Sequence, residues 1–319
     1  MKCCAFCYKP QETLSKCGKC QKRQFCSRDC QRLDWKAGHK HWCGMAGEVG
    51  VDFVVRDAGS GKGLGVFALR SFHRNDKIMA ERPVLLFPSA KEVPEQAKEA
   101  VSALLPLNGS LSQKVARNGM ACDDASITNG LFVTMSRVNH DCYGNTDHYY
   151  SERLKVKILV ANREIERGEE VTFSYVPNKK SAARKGILLA VYGFDCTCSV
   201  CTDETKEVET AFERAKELDD SIMTLVGLGK IDPAVRKGKA LVAIYDKYDM
   251  SSWLYHRTYY DLFQVTIAKR QRQKEAEQFI QKAFQAVLDY TGDADDDVVQ
   301  RMQIFVTSPT SHRNFAALG

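Results

Sequence analysis

Apolar residues recur at helical spacing in the last third of the chain and at strand spacing in the middle. Within residues 204–306 the clearest run is Ala276, Phe279, Ile280, Ala283, Phe284, Val287 and Leu288, which together line one face of a helix. Breaks near Gly227–Gly229, Asp249–Ser252 and Gly292 divide this region into about five helices. Hairpins of such helices suggest a tetratricopeptide-like stack, although no clean repeat of about 34 residues occurs. Upstream, Leu154, Val156, Ile158 and Val160 alternate as in a half-buried strand. Strands are also predicted after the glycine-rich turn Gly61-Lys62-Gly63-Leu64-Gly65, within 77–87, and at Val171–Tyr175 after a turn at Gly168. Residues 94–117 read as a helical insertion, and Ser181 as the cap of a helix running to Tyr192. Residues 293–297 read as a loop entering a helix N-terminus.

Residues 4–43 have no such pattern. They are poor in aliphatics and rich in metal-binding types, paired as Cys4-x2-Cys7, Cys17-x2-Cys20, Cys26-x3-Cys30 and His39-x3-Cys43. Zinc takes four thiolate or imidazole ligands in a tetrahedron, and a CxxC pair supplies two from one tight turn. The pairs interleave: Cys4, Cys7, Cys26 and Cys30 would hold one ion, and Cys17, Cys20, His39 and Cys43 a second. Cys3 stands beside Cys4, whose spacing to Cys7 is the better. A short helix over 26–36 would carry Cys26 and Cys30 one turn apart. No acid or open position is evident, so these sites read as structural, with metal replacing the missing core. A third set is Cys142 with Cys196, Cys198 and Cys201. Three zinc ions per chain are expected.

Composition narrows the classes. Thirteen cysteines in 319 residues could mean disulfides, but the length, the odd count and the zinc spacings favour metal and a reducing compartment. The first ligand pair follows Met1 so closely that no signal peptide is expected, and no apolar run approaches the ~20 residues of a membrane span. Cytoplasm or nucleus is expected, with the protein a monomer. The net charge is +6. Residues 1–48 hold ten lysines and arginines against four acids, while the remainder holds 36 of each. Seven bound thiolates and two zinc ions bring the finger to about +3, too little to argue for nucleic acid.

The first cluster, down to Trp35-Lys36-x2-His39-Lys40-x2-Cys43, resembles a MYND-type zinc finger. The middle of the chain resembles a SET-domain lysine methyltransferase of the kind that carries such fingers. Four segments match in order: the turn Gly61–Gly65, Arg137-Val138-Asn139-His140-Asp141-Cys142, Gly168-Glu169-Glu170-Val171-Thr172-Phe173-Ser174-Tyr175, and Tyr192-Gly193-Phe194-Asp195-Cys196-Thr197-Cys198-x2-Cys201. The resemblance implies an α+β protein in three parts: a zinc finger (1–48), a SET β-fold with a post-SET zinc (49–202) and a helical array (203–319). It implies transfer of a methyl group from S-adenosylmethionine to a protein lysine, with the finger as a protein-interaction module.

It also implies roles. Lys62, Gly63, Leu64 and Gly65 would meet the donor's carboxylate and amino groups, and Asn139 would hydrogen-bond the donor. His140 would lie on its adenine side, and Phe194 would pack on the adenine ring. Tyr175 would border the donor and line the lysine channel as the catalytic residue. Such roles suit the chemistry: the sulfonium supplies a reactive methyl, and the protein must align an amine with it. Lysine's reference pKa of ~10.4 means that this amine must first lose a proton, which an apolar, aromatic channel favours. Two departures stand out. Gly144 occupies the place of a proline before Asn145, which would loosen the turn, and it supports an alternative reading as an inactive zinc-dependent scaffold. The finger also precedes the glycine-rich turn instead of interrupting the SET region, so it reads as separable.

Overall fold

The computed structural model describes residues 2–59, 61–88, 111–123, 128–177 and 181–318. Of the expected insertion, 94–110 lies outside the described residues, and Leu111–Asn118 is helical. The chain forms two compact units, Met1–Ser174 and Tyr175–Gly319.

The first unit opens with two short antiparallel ladders. β1 (Lys2–Cys3) pairs with β2 (Pro10–Gln11), and β3 (Ser15–Lys16) pairs with β4 (Gln24–Phe25). A helix follows over Arg28–Asp34, capped by Ser27, whose hydroxyl accepts from the Cys30 amide. The helix thus starts two residues after Cys26, and Cys30 lies within its first turn. The apolar centre is small: Cys4, Cys17 and Phe25 are buried at its middle.

Ten further strands follow among the described residues. β5 (Phe53–Asp57) and β6 (Leu64–Ala68) form an antiparallel pair. The predicted strand at 77–87 is two, β7 (Lys77–Glu81) and β8 (Leu85–Pro88). β9 (Met120–Ala121) and β8 flank β10 (Thr128–Leu131) in one sheet. β11 (Asn139–His140), β12 (Thr146–Ser151), β13 (Val156–Ala161) and β14 (Glu170–Phe173) complete the set. One sheet runs β11-β14-β6-β5 and another β12-β13-β7. β13 is central in its sheet, and all six of its residues are buried, not alternate ones. Lys157 is among them; its Nζ donates to the Ala121 carbonyl at 2.6 Å, and burial pushes its pKa down to about 8.

β11 lies parallel to β14, with Asn139 opposite Thr172 and His140 opposite Phe173. The segment just after β11 is clasped onto the same strand. Asn145, 1% exposed, donates from Nδ2 to the Glu170 carbonyl at 2.9 Å and accepts from the Thr172 amide at 2.8 Å. Thr146 Oγ1 donates to the Thr172 carbonyl at 2.7 Å. Gly144 fits this approach: a Cβ there would lie 2.5 Å from Phe173 Cα and 2.8 Å from the Thr172 carbonyl oxygen. The departure at 144 therefore does not loosen the turn; it lets two backbones meet.

In the second unit, a helix begins at Ser181 itself and runs to Ile187, continuing as a wider turn over Leu188–Tyr192. Five long helices follow: Glu207–Gly227, Ile231–Lys247, Ser252–Thr266, Gln273–Thr291 and Asp297–Thr307. Each packs on the next. Leu218, Ile222, Leu241, Phe263, Ile280 and Val287 share their core. Asp296 caps the last helix by accepting from the Val298 amide. No described helix is long and apolar enough to cross a membrane.

Gly144→Ala should lower the unfolding midpoint, because the clashing atoms are backbone; overpacking of this kind costs about 1–3 kcal/mol. Urea unfolding followed by circular dichroism measures it, and a midpoint equal to that of the unaltered protein would contradict the close approach.

Candidate functional site

The interleaved ligand sets assemble as the spacing predicts. Cys4, Cys7, Cys26 and Cys30 place their sulfurs within 4.8 Å of one another, as do the ligand atoms of Cys17, Cys20, His39 and Cys43. Cys7 and Cys26 sulfurs are 3.7 Å apart, and those of Cys17 and Cys43 3.9 Å. A tetrahedron with Zn–S bonds of about 2.3 Å needs roughly 3.8 Å along each edge, so the residues fit zinc. His39 turns Nε2 toward Cys20 at 4.0 Å and places Nδ1 3.3 Å from Asp34 Oδ2. The Asp34 carboxylate therefore stands close behind the imidazole without a hydrogen bond to it. Burial first, and then the Arg23 charge, push His39 down to about 4, which keeps it in the neutral, ligating form. The third set, Cys142, Cys196, Cys198 and Cys201, also has its sulfurs within 4.8 Å. His140 Nε2 lies 3.3 Å from Cys142 Sγ, so its ring borders that set.

Ion pairs buried within the finger, and half-exposed ones reaching beyond it, surround the join to the strands. Arg23 donates through Nε to Asp34 at 2.8 Å and faces Glu48 through Nη1 at 3.4 Å. Lys22 and Arg70 both meet Asp52, at 3.2 and 2.7 Å. Arg82, next to β7, stands 3.8 Å from Asp34. Lys22 and Asp34 of the finger thus each meet a charge that lies beyond residue 48, at Asp52 and Arg82.

The glycine-rich turn is open. Gly59, Gly61 and Gly63 have φ of 74°, 75° and 77°, and the Ala58 amide donates to the Gly63 carbonyl at 2.8 Å across it. Lys62 and Leu64 are exposed, and nothing lies within 4 Å of a Cβ built at Gly61 or Gly63. Gly65 is the opposite case: a Cβ there would lie 2.5 Å from Glu170 Oε1 and 3.0 Å from Asn139 Nδ2. Asn139 donates from Nδ2 to the Leu64 carbonyl at 3.2 Å and to Glu170 Oε1 at 2.7 Å. The turn and Asn139, 75 residues apart at that contact, are thus hydrogen-bonded neighbours.

An aromatic group lies in the second unit. Tyr175 and Tyr192 have ring centroids 4.8 Å apart, and Tyr192 and Phe194 6.5 Å. Sequence reasoning gave Tyr192 no role, although it precedes Gly193 and Phe194 in a matching segment; burial raises its hydroxyl pKa. Glu170 was likewise passed over as one acid of a Gly-Glu-Glu run.

Comparison with known proteins agrees with this layout. Residues 4–43 match the family model of the MYND finger, and residues 63–176 that of the SET domain. The MYND-finger match thus lies N-terminal to the SET-domain match. Among its relatives, the histone-lysine N-methyltransferase set5 of Schizosaccharomyces pombe is 28% identical over 79% of this chain and 82% of its own length. The N-lysine methyltransferase SMYD2-A of Danio rerio is 26% identical over 64% of this chain and 51% of its own. Human N-lysine methyltransferase SMYD2 is 27% identical over 68% and 54%. The chain thus spans about half the length of these animal relatives.

The purified protein should hold three zinc ions per chain by elemental analysis, and Cys198→Ser two. A reproducible two in the unaltered protein would remove the third site.

Proposed function

We propose that the protein transfers a methyl group from S-adenosylmethionine to a lysine of a protein substrate, histone or non-histone. The observation that carries this reading is the hydrogen bond from Asn139 to the Leu64 carbonyl, which joins the glycine-rich turn to the asparagine segment. The residues present suit the donor. The turn is open, Lys62 offers an exposed cation for a carboxylate, and the Leu64 and Asn139 oxygens can accept from an ammonium group. When bound, the donor supplies the electrophilic methyl.

The chain's own residues do the rest. Lys62 and the backbone of Gly63, Leu64 and Gly65 hold the donor's amino-acid end, with Asn139. His140 sits on the adenine side, and Phe194 packs on the ring. Tyr175 and Tyr192 supply the aromatic wall that favours a neutral substrate amine, and the Tyr175 hydroxyl orients it. Cys142, Cys196, Cys198 and Cys201 would hold the third zinc, and His140 and Phe194 each lie two residues from one of these cysteines. The division into a finger (1–48), a SET region (49–202) and a helical array (203–319) belongs to this reading. So do the finger's role as a protein-interaction module and residence in a reducing compartment, cytoplasm or nucleus, where thiolate sites persist. The scaffold alternative rested on Gly144, and the close approach there removes its support.

A labelled-methyl transfer assay on whole-cell protein tests the activity without a chosen substrate. Tyr175→Phe keeps the ring and removes one hydroxyl, so the transfer rate should fall ~10²–10³-fold with donor affinity nearly unchanged. Undiminished transfer by Tyr175→Phe would remove its catalytic role. Donor binding without any transfer by the unaltered protein would restore the scaffold reading.

A further inference from the structure

Glu170 is an acid that the proposed mechanism does not use. It stands on β14, two residues before Thr172, the partner of Asn139 across the parallel pair. Its Oε1 accepts from Asn139 Nδ2 at 2.7 Å, and the Leu64 carbonyl accepts from the same nitrogen at 3.2 Å. A primary amide nitrogen has two hydrogens, and these two acceptors use both. The amide orientation is thereby fixed. Turned over, it would set its oxygen against a carboxylate and a carbonyl, with no hydrogen between them. What Asn139 has left to offer is Oδ1, an acceptor only. The missing Cβ at Gly65 makes room for the pair, since a methyl there would press on both Glu170 Oε1 and Asn139 Nδ2.

We infer that Glu170 is a positioning residue that locks the Asn139 side chain with its oxygen toward the ligand, so that this position recognises a ligand ammonium group and rejects a carboxylate. The inference rests on the donor reading above and makes it more specific: of the donor's two charged amino-acid groups, Asn139 takes the cationic one. Lys62, on the exposed turn, is left to the anionic one. Glu170 itself need not touch the ligand. Its effect on the ligand passes through Asn139, so it is set by hydrogen-bond geometry and not by its charge.

Calorimetric titration of the full chain with two ligands tests this. S-adenosylmethionine carries the amino-acid arm; 5′-methylthioadenosine keeps the adenosine and sulfur and lacks that arm. Glu170→Ala removes the acceptor, while Glu170→Gln keeps an acceptor oxygen and loses the charge. Zinc content and circular dichroism establish that each variant is folded. For S-adenosylmethionine, Glu170→Ala should raise Kd about tenfold or more, the value of one charged hydrogen bond, and Glu170→Gln should restore binding to within about threefold. For 5′-methylthioadenosine both variants should stay within about twofold of the unaltered protein. Unchanged S-adenosylmethionine affinity in Glu170→Ala would overturn the inference. So would an equal loss for both ligands, which places the oxygen at the adenosine end, or equal losses in Ala and Gln, which point to charge. If the unaltered protein binds 5′-methylthioadenosine but not S-adenosylmethionine, the inference falls while an adenosine site stands. If it binds neither, the donor reading fails, and the inference with it.

Discussion

The first unit depends on one buried amide. Asn145 meets β14 with both ends of its side chain, accepting from the Thr172 amide and donating to the Glu170 carbonyl, with a further bond from Nδ2 to Glu169 at 3.0 Å. Each such group, if buried without its partner, costs about 1–3 kcal/mol, so the pairing is strongly specified. The chain on either side is forced into place. Gly144 presses on Phe173, Thr146 bonds Thr172, and β11 comes to lie parallel to β14. β14 also pairs with β6, the strand that leaves the glycine-rich turn. The clasp therefore brings Asn139 beside Leu64. A second hold comes from Glu81, a buried carboxylate at the end of β7 that accepts from the Thr134 and Met135 amides at 2.9 Å each. Those amides open the turn that leads into β11.

The finger solves a different problem. It has too few aliphatics for a core, so metal ligands and buried charges take their place. Arg23, with 7% of its surface exposed, balances Asp34 and Glu48, and Asp34 stands behind the ligand His39. A single charge arrangement thus supports a zinc site and joins the finger to the residues leading into β5. Breaking such a buried set by removing one member generally costs about 3–5 kcal/mol, because an uncompensated charge remains. Glu48 shows how finely it is balanced: burial outweighs the Arg23 charge and raises its pKa to about 7.

What the sequence made legible was local. Ligands paired with two or three residues between them declare their chemistry, and the 3.6-residue period of the C-terminal helices depends only on near neighbours. Long-range features were not legible. β13 was read as half-buried because Lys157 interrupts its apolar run, but the Ala121 carbonyl, 36 residues away, satisfies the ammonium and lets both faces be covered. Gly144 looked like a defect because the backbone that needs its missing side chain lies about 29 residues further on. Glu170 looked like one acid of a polar turn until its bond to Asn139 could be seen. Ser181 stands inside its helix and not before it, a shift of one residue that ordinary end variation explains.

If the clasp at Asn145 assembles the donor site we propose, Asn145→Ala should damage that site while sparing the zinc centres, which do not use this side chain. The measurement is the affinity of Asn145→Ala for S-adenosylmethionine by calorimetry, on protein shown to retain three zinc ions. The account predicts binding weaker by about tenfold or more, as the loss of buried hydrogen bonds holding β14 implies. Affinity equal to that of the unaltered protein would contradict it.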